Sequence, residues 1–512
     1  MYAPATRATT EFLSVPLLVG VVGHRDLVPE EMPAVRAAVE RLLRALRDAQ
    51  PAVSIKLLSA QAEGADLLVA DVALELGIDI IALLPFSVAQ CRMDLGSEVA
   101  RAAFDRTIAT AERLELTPDR GADAGDLVHP GEARDWQFER TGELIAQQSS
   151  LLIAIWNGLD TEHRAGTARS IERRRGRTDA DDDGSHAQPD GLFLAADNDL
   201  MYEIRCSRLS DAGAGDAGVR VIGFVTGDST FGAIENGIPP TLATQLARTA
   251  DFNRDASEYA ARIAGQRPLS SAAPQPVSGA LLYLDRLFGA ADWLAVHFRR
   301  CFTRALIARF SLWALMAFLL LTFKKSTDDW YGFMSIVIVL LVFALGWQLA
   351  FWARRRSWDR RYLDYRALAE GLRVDFYWEL SGVRARFDDA FAHQSFLQKQ
   401  DTQIEWMRAA MRAVNLRCAL YPPTATPNGF EHTLSAWVGD PSRESGAGQL
   451  NYYRQRTAAL ERRVATAERI SHGMLIGGLA LAVILGVDMA LRLAEQQPVL
   501  GSALRGLMIM AL

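Results

Sequence analysis

Three short clusters in the first third of the chain combine glycine with charged side chains that could bind a phosphate. They are Gly23-His24-Arg25, Glu63-Gly64-Ala65-Asp66, and Gly158 followed by Arg164-Ala165-Gly166-Thr167. Small residues before a helix let backbone N–H groups and the positive helix end approach an anion. Arg25 or Arg164 could add bidentate hydrogen bonds to that anion. Asp66 could either cap its own helix or accept a hydrogen bond from a ribose hydroxyl.

Each cluster follows a short apolar run that predicts a buried β-strand. The predicted strands are 14–22, 54–59, 78–84, 150–156 and 218–225. Helical stretches separate the early strands, near 29–48, up to 76, and over 95–114, and a polar loop is expected before residue 150. Apolar strands that alternate with helices predict an α/β Rossmann-like fold, a parallel sheet with helices on both faces. Ligands of such sheets bind outside the carboxyl ends of the strands.

The motif content narrows the chemistry at this sheet edge. The sequence holds no GxGxxG, Walker A, HExxH or GxSxG motif and no clustered metal ligands. Ordinary dinucleotide, P-loop and metal-site hypotheses therefore have little support. Glycine is common in loops between strands and helices, so any one of the three turns has a structural explanation without a ligand. Three such turns at one edge favour a phosphate-bearing ligand.

Composition excludes several classes of protein. The 512 residues include 55 basic and 61 acidic side chains, a net charge of -6, which argues against a nucleic-acid binder that works by bulk charge. Four cysteines lie far apart with no CxxC pair, so a disulfide scaffold is not expected and a reducing cytoplasm fits. The first residues lack a basic region leading into a long apolar core, so no secretory signal is expected.

Two apolar runs in tandem predict membrane-spanning helices. Residues 330–353 contain no charged side chain, and 305–323 is apolar apart from Arg309 near its start. At about 1.5 Å per residue the longer run reaches about 36 Å, enough to cross a hydrocarbon core of about 30 Å. Arginine-rich segments flank the pair, while the connector carries only Lys324 and Lys325. The positive-inside rule then places both flanks in the cytoplasm and the connector outside.

A second apolar pair follows near the end of the sequence. Residues 473–491 are apolar except for Asp488, and 498–512 are apolar except for Arg505. The first run predicts a third span, and the second is a candidate fourth span. Counted from the ends of the two runs, Asp488 and Arg505 fall at similar depths and could pair, as intramembrane charges usually must. Such a pair would clasp a hairpin or lie at the interface, and a pore-lining role is the alternative.

Residues 14–228 resemble the SLOG superfamily. The resemblance rests on VGVVGHRDL, LSAQAEGADLLVADVALELGI with IALLPF, and LLIAIWNG followed by AGTA. It implies a Rossmann-like domain that binds a nucleotide or nucleotide derivative at the three clusters, with no cofactor firmly implied. Hydrolytic members carry PGGxGTxxE, whereas Pro-Gly-Gly is absent here, Ser170 takes the glutamate position and Glu172 is displaced. Ligand sensing is therefore the better inference, and a hydrolase that uses Glu63 or Glu172 is the alternative.

Residues 285–490 resemble the SLATT family of membrane effectors. The resemblance rests on two spans followed by YRALAEGLRVDFYW, and later on WVGDPSRESGAGQLNYYRQRTA. In bacterial conflict systems such domains are found with SLOG sensors or nucleotide-synthesising partners and are thought to form membrane pores. The resemblance implies an effector of antiphage defence that responds to a nucleotide second messenger. Two to four spans are too few to form a wide pore alone, so a homo-oligomer is expected. The net charge gives no reason to expect a nucleic-acid partner.

The chain is thus expected to have four parts. Residues 14–228 form the nucleotide-binding domain, 172–217 a partly disordered insertion within it, 229–284 a connecting segment and linker, and 285–512 the helical domain with two to four spans. The expected location is the inner (plasma) membrane, multi-pass, with the N-terminal domain in the cytoplasm.

Overall fold

The computed structural model describes residues 13–118, 125, 127, 129–159, 166–174, 200–211, 218–226, 229–323, 329–383, 405–422, 426–439 and 448–493. Its contacts divide the chain into two units that alternate along the sequence. The sheet unit comprises Met1–His297 and Arg360–Gly429, and the helical unit comprises Phe298–Asp359 and Phe430–Leu512. The two units are described separately below.

The sheet unit is built on eight strands in the order β4-β3-β2-β1-β5-β6-β7-β8. The strands are β1 Leu17–Gly23, β2 Ile55–Ser59, β3 Asp79–Leu84, β4 Glu112–Glu115, β5 Leu151–Trp156, β6 Met201–Arg205, β7 Arg220–Thr226 and β8 Ser229–Gly232. Neighbours from β4 through β6 pair in parallel, whereas β6–β7 and β7–β8 pair antiparallel. The sheet is therefore mixed but largely parallel, as the apolar strands predict.

Helices cover both faces of this sheet. They are α1 Met32–Ala49, α2 Ala65–Glu75, α3 Val88–Met93, α4 Glu98–Thr110, α5 Glu132–Gln148, α6 Thr167–Arg174, α7 Pro240–Glu258 and α8 Ala260–Ile263. The central strands are covered on both sides, because the first six residues of β1 and all six of β5 are buried. Val19 and Val21 of β1 join the cluster of α1 and α2, while Ala82 and Leu84 of β3 join the cluster of α4.

Three parts of the sheet unit differ from the sequence-based expectation. Helix α5 occupies residues expected to form a polar loop, because its buried side chains are largely polar and leave no apolar period to recognise. Strand β6 lies within the range expected to be a partly disordered insertion, although four of its five residues are buried. The strand predicted at 218–225 exists as β7 but is antiparallel. Its connection from β6 shows a short 3-10 turn at Leu209–Asp211, and no crossover helix among the described residues.

The rest of the described chain is helical. The elements are α9 Gly279–Phe323, α10 Asp329–Arg356, α11 Trp358–Ser381, α12 Glu405–Ala419, α13 Gly429–Thr433 with a π-helical turn at Leu434–Val438, and α14 Gln449–Leu493. Three helices are long and apolar enough to cross a membrane, over Gly279–Leu320, Phe333–Ser381 and Gln449–Asp488. The three predicted spans, 305–323, 330–353 and 473–491, lie within α9, α10 and α14. The candidate span 498–512, with Arg505, lies outside the described residues.

Within the sheet unit, α11 docks on α7 through a buried ionic network. The Arg361 guanidinium donates to both Asp255 carboxylate oxygens at 2.8 and 3.0 Å, and the Tyr365 hydroxyl donates to Asp255 at 2.6 Å. Burial raises the pKa of Asp255 to about 6, although both partners oppose the shift. Phe252 packs edge-on against the Tyr365 ring. The helix that follows the second predicted span is thus fixed to the helix that follows the sheet.

Candidate functional site

The three glycine-containing clusters lie at one edge of the sheet because their strands are adjacent. Strand β1 pairs in parallel with β2 on one side and with β5 on the other, so all three carboxyl ends point the same way. A cleft of about 110 Å³ opens there between the end of β1, the loop after β2, helix α5 and the start of α6. Five of the predicted site residues line it, namely Gly23, Arg25, Asp66, Gly166 and Thr167.

Arg25 is the exposed cation of the cleft. Its guanidinium carbon lies 4.5 Å from the centre of the Phe138 ring, a cation–π contact that holds the side chain in place. Its positive charge is also close enough to Asp66 to favour the ionised carboxylate, which partly opposes the rise in the pKa of Asp66 caused by burial. A guanidinium that is exposed yet held by a ring is suited to bind a phosphate, because less side-chain freedom is lost on binding.

Asp66 is the buried acid of the cleft, with only 5% of its surface exposed. Its carboxylate accepts a hydrogen bond from the backbone N–H of Ala62 at 3.4 Å. Burial raises the pKa of Asp66 to about 7, against the opposing influence of that bond and of Arg25. Near neutral pH the Asp66 carboxyl can therefore be a protonated hydrogen-bond donor or an ionised acceptor. A residue that only caps a helix does not need such a pKa.

Gly166 and Thr167 place the start of helix α6 at the cleft. Thr167 is the first residue of α6, so the N-terminal end of this helix lies beside the cleft wall. Arg169 and Ser170 of the same turn also line it. Together with Arg25, the positive end of α6 makes this side of the cleft electrostatically suited to an anion.

Three other predicted residues hold the turns together without lining the cleft. The backbone N–H of Ala65 donates to the His24 carbonyl at 3.1 Å, and the His24 Nε2 accepts the Asn157 N–H at 3.0 Å. Gly64 has φ of 85°, and a Cβ there would lie 2.4 Å from the Arg25 carbonyl oxygen. His24, Gly64 and Ala65 therefore lock the loops after β1, β2 and β5 to one another. Because the Ala65 N–H is already bonded to the His24 carbonyl, the N-terminal end of α2 is not an open phosphate-binding site.

Glu63 and Gly158 do not line the cleft. Glu63 accepts hydrogen bonds from the Gly96 N–H at 2.7 Å and the Ser97 hydroxyl at 2.9 Å, just before α4. Gly158 has φ of 80° and lies against the Arg205 guanidinium, where a Cβ would be 2.7 Å from Nη1. Arg164 lies outside the described residues. Glu172 is in α6, but its side chain is not among those described.

Helix α5 supplies a wall of the site that sequence analysis missed. Phe138, Glu139 and Glu143 all line the cleft. The two glutamates are four residues apart and so lie on one helical face, a signal that the sequence offered. With Asp66 they set three carboxyls beside Arg25 and Arg169. The cleft therefore combines anion-binding groups with acceptors for hydroxyl or amino groups.

Gln61 is a second residue that sequence analysis missed. It is 1% exposed, has φ of 59°, and lies between Ala60 and Ala62, which both line the cleft. Neither its side-chain oxygen nor its side-chain nitrogen has a hydrogen-bond partner among the described residues. Left-handed backbone and an unsatisfied buried amide each cost free energy and cluster at functional sites.

Size limits what the described cleft can hold. At about 110 Å³ it is smaller than the roughly 300–1,000 Å³ of typical ligand pockets. It accommodates a phosphate and part of a sugar, so a larger ligand must extend beyond it. Among the described residues, no group of His, Cys, Asp or Glu is placed to hold a metal ion.

Comparisons with protein-family models, curated proteins and solved structures give no match to this chain. The function is therefore argued from the cleft and the helices alone.

Proposed function

We propose that this chain is a nucleotide-sensing membrane effector. The sheet unit binds a nucleotide-derived signal in the cleft, and the helical unit forms a pore or otherwise disrupts the membrane. The observation that carries the proposal is the convergence of Arg25, Asp66 and the start of α6 at one cleft, in a chain with three helices of spanning length. The resemblances to SLOG and SLATT proteins add the setting, a bacterial conflict or antiphage defence system with a nucleotide-synthesising partner enzyme.

In this proposal the cationic groups of the cleft bind the phosphate of the ligand, and the carboxyl groups bind its ribose. A phosphate lies against the first turn of α6 at Gly166 and Thr167 and accepts hydrogen bonds from Arg25. The ribose hydroxyls donate to the carboxyls of Asp66 and Glu139. The base extends out of the cleft, because the enclosed volume fits only the phosphate end of a nucleotide.

The arrangement of carboxyls favours sensing over hydrolysis. Glu63, one of the two alternative catalytic residues, accepts hydrogen bonds with both of its side-chain oxygens from Gly96 and Ser97, just before α4. Ser170 lines the cleft at the position where the hydrolytic pattern has its glutamate. A neutral hydroxyl there cannot act as the general base of an N-glycosidic hydrolysis.

One observation supports a second candidate function, that of a membrane-tethered nucleotide hydrolase. Asp66 lines the cleft and has a pKa of about 7, which suits general acid–base catalysis near neutral pH. In this candidate Asp66 takes the role that the sequence assigned to Glu63 or Glu172. The two functions differ in whether the purified protein converts its ligand or only retains it.

The experiment uses the full-length protein in lipid nanodiscs. Small molecules that co-purify from activated cells are identified by mass spectrometry, and calorimetry then measures the affinity of the identified nucleotide. Arg25→Ala removes a charge-assisted hydrogen bond of about 1.5–3 kcal/mol, so affinity should fall about ten- to a hundredfold. Gly166→Asp adds bulk and negative charge where the phosphate approaches and should weaken binding at least about tenfold.

The matched control is Arg47→Ala, which removes an exposed arginine in the last turn of α1. It should leave the affinity unchanged. Wild-type affinity in both cleft variants would remove the cleft from the proposal. Release of a free base during incubation would favour the hydrolase, and liposome leakage that does not depend on the nucleotide would exclude ligand gating.

A further inference from the structure

Helix α14 has a long polar half whose side chains are almost all exposed beyond Asn451. Of its 45 residues, the polar half, residues 449–472, precedes the apolar stretch that begins at Gly473. From residue 452 to residue 472 every side chain is exposed except those of Ala458 and Ala465, which are half-buried. Isolated helices gain most of their stability from packing an apolar face. A helical surface that stays exposed over about 30 Å therefore calls for a partner.

Three exposed apolar residues of the polar half, Tyr453, Leu460 and Val464, lie on one seam, whereas Tyr452 and Ile470 lie off it. Tyr453, Leu460 and Ala467 are spaced by seven residues, and Thr457, Val464 and Ser471 follow each of them by four. Tyr453 is 63% exposed, Leu460 60% and Val464 47%. Alternating steps of four and three are the pattern of a and d positions in a coiled coil. The first set then occupies d, and the second set occupies a.

Charged residues flank this seam with a spacing that no single helix can use. Arg456 and Arg463 occupy g, and Glu461 and Glu468 occupy e, so each arginine lies five residues before a glutamate. Residues three or four apart are neighbours on one helix, and none of these four has an opposite charge from Lys, Arg, Asp or Glu at those spacings. In a parallel pair of helices, however, a g residue contacts the e residue of the next heptad on its partner.

We propose that the polar half of α14 pairs in parallel with the same helix of a second copy of this chain. Arg456 then meets Glu461 of the other copy, and Arg463 meets Glu468 of the other copy, on both sides of the seam. An antiparallel pair would instead set g against g and e against e, which places like charges together.

Two further features support a parallel pair. The same helix continues into a predicted membrane span, so copies inserted in the same way run in the same direction. The β-branched Thr457 and Val464 at a, with Leu460 at d, favour two strands over three or four. The pairing needs no nucleotide, so it goes beyond the proposed function and can fail or hold independently of it.

Disulfide cross-linking in membranes tests the seam. The full-length chain carries either Leu460→Cys, at d, or Arg462→Cys, at the outward-facing f position, and the chain with only its native cysteines gives the background. Oxidation without added nucleotide should give a covalent dimer with Leu460→Cys and only background with Arg462→Cys. A same-residue cross-link also requires parallel helices in register. Equal cross-linking at both positions, or none at Leu460→Cys, would overturn the proposal.

Charge exchange tests the orientation. In the Leu460→Cys chain, Arg456→Glu with Arg463→Glu should lower the rate of cross-linking at least about tenfold, because every g–e′ pair becomes repulsive. Adding Glu461→Arg with Glu468→Arg should restore it. The matched control, Arg462→Glu with Arg469→Glu at f, makes the same change of charge and should have little effect.

Other occupants of the seam would give different results. A lipid surface would respond to any loss of positive charge, so the f-position control would then behave like the g-position variant. A different protein would leave the seam cysteine without a same-residue cross-link. Either result rejects self-pairing. Since all the substituted residues are exposed, unchanged Trp fluorescence shows that each variant keeps its fold.

Discussion

Replacing Asp66 with asparagine should change how the stability of the protein depends on pH. The native pKa of about 7 is above the ordinary value of 3.8, so the folded protein holds this proton more tightly than the unfolded chain does. The contribution of Asp66 to the free energy of unfolding is therefore greatest below about pH 4. It falls as the pH rises to about 7 and then levels off. A shift of about three pH units corresponds to about 4 kcal/mol, of which about 2.5 kcal/mol is lost between about pH 5 and about pH 8.

An asparagine side chain does not ionise, so this cost should disappear in Asp66→Asn. The group is only 5% exposed, and solvent screening does not reduce the effect appreciably. The difference in unfolding free energy between variant and wild type should therefore increase by about 2.5 kcal/mol from about pH 5 to about pH 8. This corresponds to a relative rise of about 5 °C in the melting temperature of the variant. Differential scanning fluorimetry of the full-length protein in detergent measures this difference.

The comparison must separate Asp66 from other carboxyls, since burial also raises the pKa of Asp255 to about 6. Subtracting wild type from variant at each pH removes that shared contribution. Asp48→Asn, at an exposed carboxyl of α1, is the matched control and should give the same small change at both pH values. If Asp66→Asn likewise shifts the melting temperature equally at both, Asp66 does not have the raised pKa, and its acid–base role in the cleft is excluded.

Three other changes test separate parts of the structure. Gly64→Ala puts a methyl group 2.4 Å from the Arg25 carbonyl oxygen at a positive φ, and should lower the stability of the sheet unit by about 2–4 kcal/mol in thermal unfolding. Tyr365→Phe removes the 2.6 Å hydrogen bond to Asp255 and should cost about 1.5–3 kcal/mol, with a further rise in the pKa of Asp255; an unchanged melting temperature would show that the network adds no stability. A cysteine at Thr327 should react with a membrane-impermeant reagent from outside the cell and one at Ser357 should not. The reverse labelling would invert the proposed topology.

Sequence alone predicted the centre of the sheet well and its margins poorly. Strands β1, β2, β3 and β5 are buried on both faces, so each is a nearly continuous apolar run that composition reveals. Helix α5 buries Gln137 and Arg134, whose side chains donate to backbone carbonyls of the loop before it. Hydrogen bonds of this kind make polar burial possible but leave no hydrophobic period. Strand β4, with the sequence ERLE, lies at the sheet edge and likewise has no apolar run that would predict a strand.

The same distinction applies to the cleft. Arg25 and Asp66 could be predicted, because Arg25 comes just after β1 and Asp66 lies in the first turn of the helix that follows β2. Phe138 could not, because its contact with Arg25 joins residues that are far apart in sequence. Glu63 looked available for chemistry until the structure showed its partners at Gly96 and Ser97. Position relative to a strand is a local property, whereas the partner of a side chain is not.

The alternation of the two units along the sequence limits how the protein can be divided. The chain passes between them at residues 297–298, 359–360 and 429–430. A fragment that stops after α8 would contain every strand but lose α11, and with it the groups that neutralise Asp255 and cover Phe252. Such a fragment would expose a buried acid and an aromatic ring to water. A binding module for use elsewhere would have to be cut twice and rejoined, with His297 linked to Arg360 by a new connector. The sheet unit is therefore not encoded by one continuous stretch of the gene, and recombination at a single breakpoint would not transfer it intact to another protein.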